Sequence, residues 1–365
     1  MNLHPEELSW AKLHTRLTPF EGLSREQLSA IRAKGQRLHR WLQGHAYLHC
    51  AINVAVIAFL LAADYVILLA LPVGLLGTRA DSPWSLIVAT SLLAGTLRGW
   101  IMYSLVLYSL HEGAAHKLIF PPQGRVSRYV HQLSVNLSRL GGADPVDFAV
   151  NHRSHHAYFG TERDGEFLNF VLPSRYWKTW IPFAMFLNFS DFITHRPHRY
   201  TRSRLISGIA LASYNAPYLY SMALAWGPGF AFLTMVVSAH VAFGLDRLRQ
   251  FSEHNLMPIE NQNGARSFGP GFWGMVIGGG PWGQPCHWMH HMVPNLPWYH
   301  QVILHRYAVG MLRPRQREQF LLQPVVGYPK LLWKLWTEPY AFVRRLAAPN
   351  ALSPDRETRS RSGMN

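Results

Sequence analysis

Long apolar runs are the feature that most constrains how this chain folds. Four of them are present, at Leu48–Leu76, Trp84–Leu110, Leu205–Trp226 and Phe230–Leu245. Because a helix rises about 1.5 Å per residue, roughly 20 apolar residues cross the hydrocarbon core of a bilayer. The last two runs are separated by a tight turn at Gly227–Gly229. The sequence therefore predicts an all-α integral membrane protein with four transmembrane helices arranged as two hairpins.

Basic residues are unevenly distributed among the segments that connect these runs. The net charge is +15, and eleven Lys or Arg residues lie between Lys117 and Ser203. The turn between the first two runs has only Arg79, and the Gly227–Gly229 turn has none. Since positively charged loops stay on the cytoplasmic side, we expect a multi-pass protein with both termini and the 117–203 segment in the cytoplasm. No nucleic-acid recognition module accompanies the charge, so anionic membrane lipid is the expected partner and nucleic acid is excluded.

Two charged residues lie inside the apolar runs. Asp64 and Arg98 are 16 and 18 residues from a shared turn near position 80, so we expect them at similar depth in adjacent helices. Charges at that depth are costly unless they are paired. The sequence predicts a structural ion pair between them.

Nine of the twenty histidines lie close to the predicted cytoplasmic ends of the apolar runs. One pair follows the second run, one histidine follows the fourth run, and two groups share the pattern His-x-x-His-His. The nine are His111, His116, His152, His155, His156, His254, His287, His290 and His291. Separate segments thus bring imidazoles to one side of the membrane, and imidazole is a common metal ligand. We interpret all nine as metal ligands in a catalytic site.

The spacing within these groups favours two metals over one. On an α-helix, residues three or four apart share a face, whereas adjacent residues diverge. The first histidine of each His-x-x-His-His group can pair with either of the next two, and those two diverge toward different metals. His111 and His116 lie five apart, roughly 140° around an α-helix, which also favours two metals. This spacing differs from the HExxH motif of zinc proteases, and no carboxylate-bridge motif of a ferritin-like centre is present.

The three histidine groups resemble the three histidine boxes of the integral-membrane fatty-acid desaturase and hydroxylase superfamily. The stretch Asn151–His156 is similar to the second box, and the Pro-rich stretch His291–Tyr299 is similar to the sequence after the third. His254 stands where such enzymes place a lone ligand after the fourth span. The resemblance covers about 47–310 and implies two non-haem irons, dioxygen as co-substrate, and a four-helix membrane stem beneath a cytosolic helical cap that holds the di-metal site.

Two positions depart from the pattern of acyl-CoA desaturases. Gln250 stands where those enzymes carry Asn, one turn before His254, and the resemblance implies that it holds a water on one iron. After the second box the chain has Asp164-Gly165-Glu166 where such enzymes have Asp-Pro-Asp. These departures leave the subfamily and the substrate open.

On this basis the chain divides into four parts. Residues 1–46 form a predicted cytosolic or interfacial N-terminal helix, whose start is indicated by a capping box at Ser24–Gln27. Residues 47–310 form the desaturase-like catalytic domain in the membrane. Residues 311–352 are predicted as cytosolic C-terminal helices, and 353–365 as a disordered tail.

Several further residues are candidates for supporting roles. Acidic residues are expected to orient the imidazoles, and those near the boxes are Glu112, Asp144, Asp147, Asp164, Glu166 and Glu253. Basic residues that could hold a lipid head group, or simply anchor the chain on the cytoplasmic side, are Arg153, Arg247 and Arg249. The Gly95-x3-Gly99 motif in the second run predicts either close helix packing or open tunnel volume.

The resemblance implies oxidation of a fatty-acyl lipid, with desaturation as the leading reaction. Hydroxylation, carotenoid ketolation and decarboxylation to a terminal alkene are alternatives within the superfamily, and a membrane metal transporter or zinc hydrolase is an alternative from another class. No dinucleotide fingerprint or haem-binding segment is present, and two cysteines are too few for an iron–sulfur cluster. Electrons are therefore expected from an external donor such as a ferredoxin, rubredoxin or cytochrome.

Overall fold

The structure, a computed structural model, describes residues 21–74, 77–120, 124–159, 201–254, 264–280 and 284–322, together with Asp164, Glu166 and Trp282. The predicted tail and most of the predicted C-terminal helices lie outside the described residues. The regular secondary structure of the described part is helical. The β structure in these residues is limited to an isolated bridge between Ser267 and Leu321. The all-α prediction is confirmed for this part of the chain.

The helices follow one another in the order that the apolar runs and histidine groups predict. In chain order they are α1 Arg25–Gly44, α2 Ala46–Tyr65, α3 Trp84–Tyr108, α4 Gly124–Asn136, α5 Pro145–Tyr158, α6 Thr201–Trp226, α7 Pro228–His254, α8 Phe272–Ile277, α9 His287–Met292, α10 Trp298–Met311 and α11 Pro314–Phe320. Two of them continue as π-helices, α2 over Val66–Ala70 and α3 over Ser109–Ala115.

Three helices are long and apolar enough to cross a membrane, namely Ala46–Tyr65, Trp84–Ala115 and Pro228–Asp246. On length and composition, three of the four predicted spans are thus confirmed. The fourth corresponds to α6, which has 26 residues but is not among these three, because polar residues such as Tyr214 and Asn215 interrupt its apolar run. Helices α6 and α7 are joined at Gly227, whose φ of 93° is one that glycine adopts without strain.

Arg98 and Asp64 form the buried ion pair that the sequence predicts, with Nε of Arg98 3.2 Å from Oδ1 of Asp64. Two residues of α6 complete the network. The hydroxyl of Tyr214 donates to Oδ2 of Asp64 at 2.7 Å, and Nη2 of Arg98 donates to Oδ1 of Asn215 at 2.5 Å. Nη1 of Arg98 also reaches Oγ of Ser238 in α7 at 3.5 Å. Because buried charges need both a counter-charge and hydrogen bonds, this network ties α2, α3, α6 and α7 together.

The Gly95-x3-Gly99 motif packs α3 against α7. A Cβ atom at Gly95 would lie 2.7 Å from Cβ of Val237, and one at Gly99 would lie 2.5 Å from the carbonyl oxygen of Ser238. Real Cβ atoms do not approach so closely, so neither glycine can be enlarged without moving a helix. The packing interpretation is confirmed, and no open tunnel volume lies at these two glycines.

Helix α1 covers the segment that carries the third histidine group. Its capping box is present, since Oγ of Ser24 accepts from the backbone of Gln27 and the Gln27 side chain accepts from the backbone of Ser24. Ile31 is fully buried in a cluster with Trp288 of α9 and Leu304 of α10. Through Ile31, helix α1 therefore packs against α9, which carries the third histidine group, and against α10.

Candidate metal centre

A π-helical turn positions the first pair of histidines. At the end of α3 the backbone N–H of His116 donates to the carbonyl of His111 at 3.2 Å, within and just after the π-helix Ser109–Ala115. In a π-helix the hydrogen bond joins residues five apart, so these lie on the same face. The two ring centroids are 4.9 Å apart, and both rings belong to one group of four histidines. The prediction that this spacing serves two metals is wrong, because it assumed 3.6 residues per turn.

The second and third histidine groups, on α5 and α9, use the same internal spacing. Histidines four apart bring their Nε2 atoms together, at 3.2 Å for His152 and His156 and 3.1 Å for His287 and His291. The middle residue of the second group, His155, turns away from this pair, and its Nε2 lies 3.3 Å from Nε2 of His291. The predicted divergence of the adjacent histidines in the second group is confirmed.

Eight of the nine predicted histidines form two groups of four, in each of which the ligand nitrogens lie within 4.8 Å of one another. We call them site A and site B. Site A consists of His111, His116, His152 and His290, and site B of His155, His254, His287 and His291. All are buried except the half-buried His116. The lone histidine after the fourth run, His254, joins site B with its Nε2 3.0 Å from Nε2 of His287.

The ninth histidine, His156, lies where the two sites meet. Its Nε2 is 2.8 Å from Nε2 of His290 and 3.2 Å from Nε2 of His152, both in site A. Its ring centroid is 4.7 Å from that of His291 in site B. Helices α5 and α9 contribute to both sites, so two metals bound here would be neighbours held by the same two helices.

Two acids from the segment after α5 hold the outward nitrogens of their histidines. Nδ1 of His152 lies 2.8 Å from Oε1 of Glu166, and Nδ1 of His155 lies 3.0 Å and 3.1 Å from the two oxygens of Asp164. A carboxylate can only accept, so each Nδ1 carries the hydrogen and each Nε2 presents its lone pair inward. The predicted orienting role of Asp164 and Glu166 agrees with this geometry.

The same arrangement recurs in other elements. Nδ1 of His111 lies 3.0 Å from Oε1 of Glu112, and Nδ1 of His254 lies 3.0 Å from the carbonyl oxygen of Gly264. The predicted acid Asp144 does not take part in this pattern, because its Oδ1 caps α5 by accepting from the backbone of Val146 at 3.0 Å. Asp147, the other acid predicted on α5, is buried.

Burial keeps most of these imidazoles neutral. Desolvation lowers the pKa of His290 and His291 well below the ordinary value, and neighbouring histidines lower it further. His155 differs, because Asp164 and Glu166 together raise its pKa although burial alone would lower it. Neutral imidazole is the form that binds a metal, and the two carboxylates favour positive charge beside site B.

Glu253 is the one acid described here that approaches the inward side of a site. Its Oε2 lies 3.5 Å from Nε2 of His287, and burial raises its pKa to about 8. Arg249 donates to the same oxygen at 2.6 Å and to Asp246 at 3.2 Å. Arg249 is therefore buried against acids, and this position does not suit the head-group role for which it was a candidate.

Sequence reasoning missed Gln301. This buried residue of α10 lies with its side-chain amide 3.2 Å from Nδ1 of His290 and donates to the carbonyl of Leu296 at 2.9 Å. It lies eleven positions after His290, on another helix, and no motif marks it. Of the predicted supporting residues, Gln250 lies in α7, but its side chain is outside the described part, as is that of Arg247.

The residues fit a pair of first-row transition metals. Two sets of four imidazole nitrogens suit divalent iron, copper or zinc. Oε1 of Glu253 and Oε1 of Gln301 are buried without a hydrogen-bond partner in the described part of the chain. An orphaned oxygen beside site B is a polar group that a metal, or a water on one, would satisfy.

The interpretation as a metal centre rests on this geometry alone. Comparison with protein-family models, curated proteins and solved structures finds no match to this chain.

Proposed function

We propose that the chain is a membrane non-haem di-iron oxidoreductase that uses dioxygen to oxidise an unactivated C–H bond of a fatty-acyl lipid, most simply by desaturation. The observation that carries the proposal is the pair of adjoining four-histidine sites A and B. When bound, two irons supply the activation of dioxygen and the oxidising power that an aliphatic C–H bond requires, which no side chain offers. The resemblance of the three boxes to those of desaturases supports iron over zinc or copper.

The protein's own residues do the positioning. Glu112, Asp164 and Glu166 fix ring orientation from outside, and the π-helical turn sets the spacing of the first pair. Because the donors are buried, solvent water is excluded from the place where the C–H bond would react. Such exclusion protects oxidising equivalents from side reactions.

The architecture that goes with this function has four spans and a cytosolic cap. We assign α6 as the fourth span, supported by the hydrogen bonds of Tyr214 and Asn215 to the buried ion pair. The histidines then lie at the cytoplasmic helix ends, in agreement with the distribution of basic residues. A lipid chain would approach from the bilayer between helices. Arg153, exposed on α5, is the remaining described candidate for its head group.

The electrons for dioxygen come, in this proposal, from a separate protein. The sequence carries no nicotinamide or haem motif, so a ferredoxin, rubredoxin or cytochrome would dock on the cytosolic face. Hydroxylation, ketolation and decarboxylation use the same centre, and the placement of the substrate decides among them.

Lipid analysis tests the proposal. A host that expresses the chain is compared with hosts carrying an empty vector, the His155→Ala variant and the His131→Ala variant. Because His131 lies on α4, outside sites A and B, its variant should resemble the wild type. Acyl chains that have lost two hydrogens should appear with the wild type and His131→Ala and be absent with His155→Ala. Unchanged acyl chains in a host that contains iron-loaded protein would contradict fatty-acyl oxidation.

A further inference from the structure

Helix α10 connects the metal centre to a row of aromatic rings. Helix α10 begins at Trp298 and passes beside site A. One turn further, Gln301 contacts His290 of the same site. The first aromatic residue of this helix therefore lies one helical turn from a residue that touches the centre.

From Trp298 the rings continue to the protein surface. The centroid of Trp298 lies 5.5 Å from that of Tyr299, which lies 4.6 Å from that of His300. The His300 ring is 5.0 Å from Trp41 of α1. Trp41 is 40% exposed, and it also stacks on His45 at 4.0 Å. An unbroken series of ring contacts thus links the flank of site A to solvent.

Tyr299 is paired with a base. Nε2 of His49 is hydrogen-bonded to the carbonyl oxygen of Leu118, and since a carbonyl only accepts, Nε2 must carry the hydrogen. Nδ1 of His49 is then the acceptor, and it lies 2.9 Å from the hydroxyl of Tyr299. The phenol therefore donates to a neutral imidazole nitrogen. A phenol so placed can lose an electron to an oxidant while its proton moves to the imidazole.

A second branch lacks this feature. Trp282 lies 5.6 Å from Trp298 and 5.0 Å from Tyr108, ring centroid to ring centroid. The hydroxyl of Tyr108, however, donates to the amide oxygen of Asn53, which is not a base. The aromatic packing is similar in both branches, but only the Tyr299 branch combines a proton acceptor with an exposed end.

We propose that Trp298, Tyr299 with His49, and Trp41 form a one-electron relay that carries oxidising equivalents from the metal centre to the cytosolic surface when no lipid substrate is present. The inference rests on the proposed function, because it needs a centre that dioxygen oxidises. Its role is to discharge the centre along a defined path instead of by oxidation of the histidine ligands.

Electrons and protons balance along this path. The indole of Trp298 would give up one electron to the metals that sites A and B would hold once dioxygen has oxidised them, and would become a radical cation. Trp298 regains an electron from Tyr299, whose phenolic proton passes to Nδ1 of His49, leaving a neutral tyrosyl radical and an imidazolium. Tyr299 regains an electron from Trp41 across the His300 ring and takes its proton back. Trp41 is finally reduced at the surface by a cytosolic one-electron reductant such as ascorbate or a thiol.

The test uses iron-loaded full-length protein in detergent, reduced, mixed with dioxygen without lipid, and frozen at successive times. Electron paramagnetic resonance should detect a tyrosyl radical in the wild type. The signal should be lost in Tyr299→Phe and retained in Tyr108→Phe, the matched control with a non-basic partner. When ascorbate is omitted, mass spectrometry should find more oxidised Trp41 in the wild type exposed to dioxygen than in an anaerobic sample. In Tyr299→Phe the amount of oxidised Trp41 should stay at the anaerobic level. Iron content, measured in parallel, should be equal in all three proteins.

The outcomes separate this proposal from the proposed function. Consumption of dioxygen together with a radical that persists in Tyr299→Phe, or with no radical at all, overturns the relay and leaves the oxidase intact. Iron-loaded wild type that consumes no dioxygen overturns both. Loss of the radical in Tyr108→Phe but not in Tyr299→Phe would assign the path to the other branch and contradict the pairing with His49.

Discussion

Removal of Asp164 tests how strongly the outer carboxylates stabilise the metal centre. Both oxygens of this fully buried residue lie against Nδ1 of His155, at 3.0 Å and 3.1 Å. Oδ1 also accepts from the backbone N–H of Glu166 at 2.8 Å, and Glu166 in turn holds His152. Asp164→Ala therefore frees a ligand of site B directly and loosens a ligand of site A indirectly. Loss of such a partner typically weakens metal binding about 10–100-fold, or about 1.4–2.8 kcal/mol.

Competition with a graded series of chelators measures this loss for each metal. We expect the upper end of that range for one metal and a smaller loss for the other, because only one ligand contacts Asp164 directly. The matched control is Asp144→Ala, whose carboxylate caps α5, the helix that carries His152 and His155. It should cost about 1 kcal/mol of stability without changing metal affinity. Equal metal loss in the two variants, or unchanged affinity in Asp164→Ala, would refute the reasoning.

Three further outcomes follow from the fold. Arg98→Met should destabilise the protein by about 3–5 kcal/mol, because it leaves Asp64 charged and unpaired. Adding Asp64→Asn should restore part of the lost stability in thermal unfolding. No recovery in the double variant would argue against the ion pair. Gly99→Leu should prevent α3 from packing on α7, so that size-exclusion chromatography no longer gives monodisperse protein. Gly208→Leu, with no atom within 4 Å of its Cβ position, should leave the protein monodisperse. Equal behaviour of the two variants would contradict the helix contact. Ala80→Cys should react with an impermeant thiol reagent in intact cells, and labelling only after permeabilisation would reverse the topology.

The sequence predicts which histidines come together better than it predicts how they are grouped. The nine histidines are identifiable because two groups share one pattern and all nine fall near the ends of apolar runs. The grouping of His111 with His116 depends on a π-helical turn. The pattern of residues in the sequence does not indicate where such a turn replaces an α-helical one. The acids Asp164 and Glu166 are predictable by proximity in sequence, but their partners are not, because the contacts of Asp164 with His155 and of Glu166 with His152 are tertiary.

Other features required the tertiary structure. Gln301 lies beyond the Pro-rich stretch that ends at Tyr299, and no motif marks it. The contact between α1 and α10 that brings Trp41 to His300 is long-range. Arginine is usually found at the protein surface, and only the structure shows that Arg249 is buried against Glu253. The ion pair and the glycine packing, by contrast, were predictable because the cost of a charge or a void in apolar surroundings allows few solutions.

The most direct test of the central claim is the identity and number of metals in active protein. Purified protein analysed by mass spectrometry for metals and by Mössbauer spectroscopy should hold two irons per chain, in two coupled positions corresponding to sites A and B. The variants His155→Ala and His290→Ala, one from each site, should lose iron and turnover together. One zinc and no iron in active protein would contradict the account.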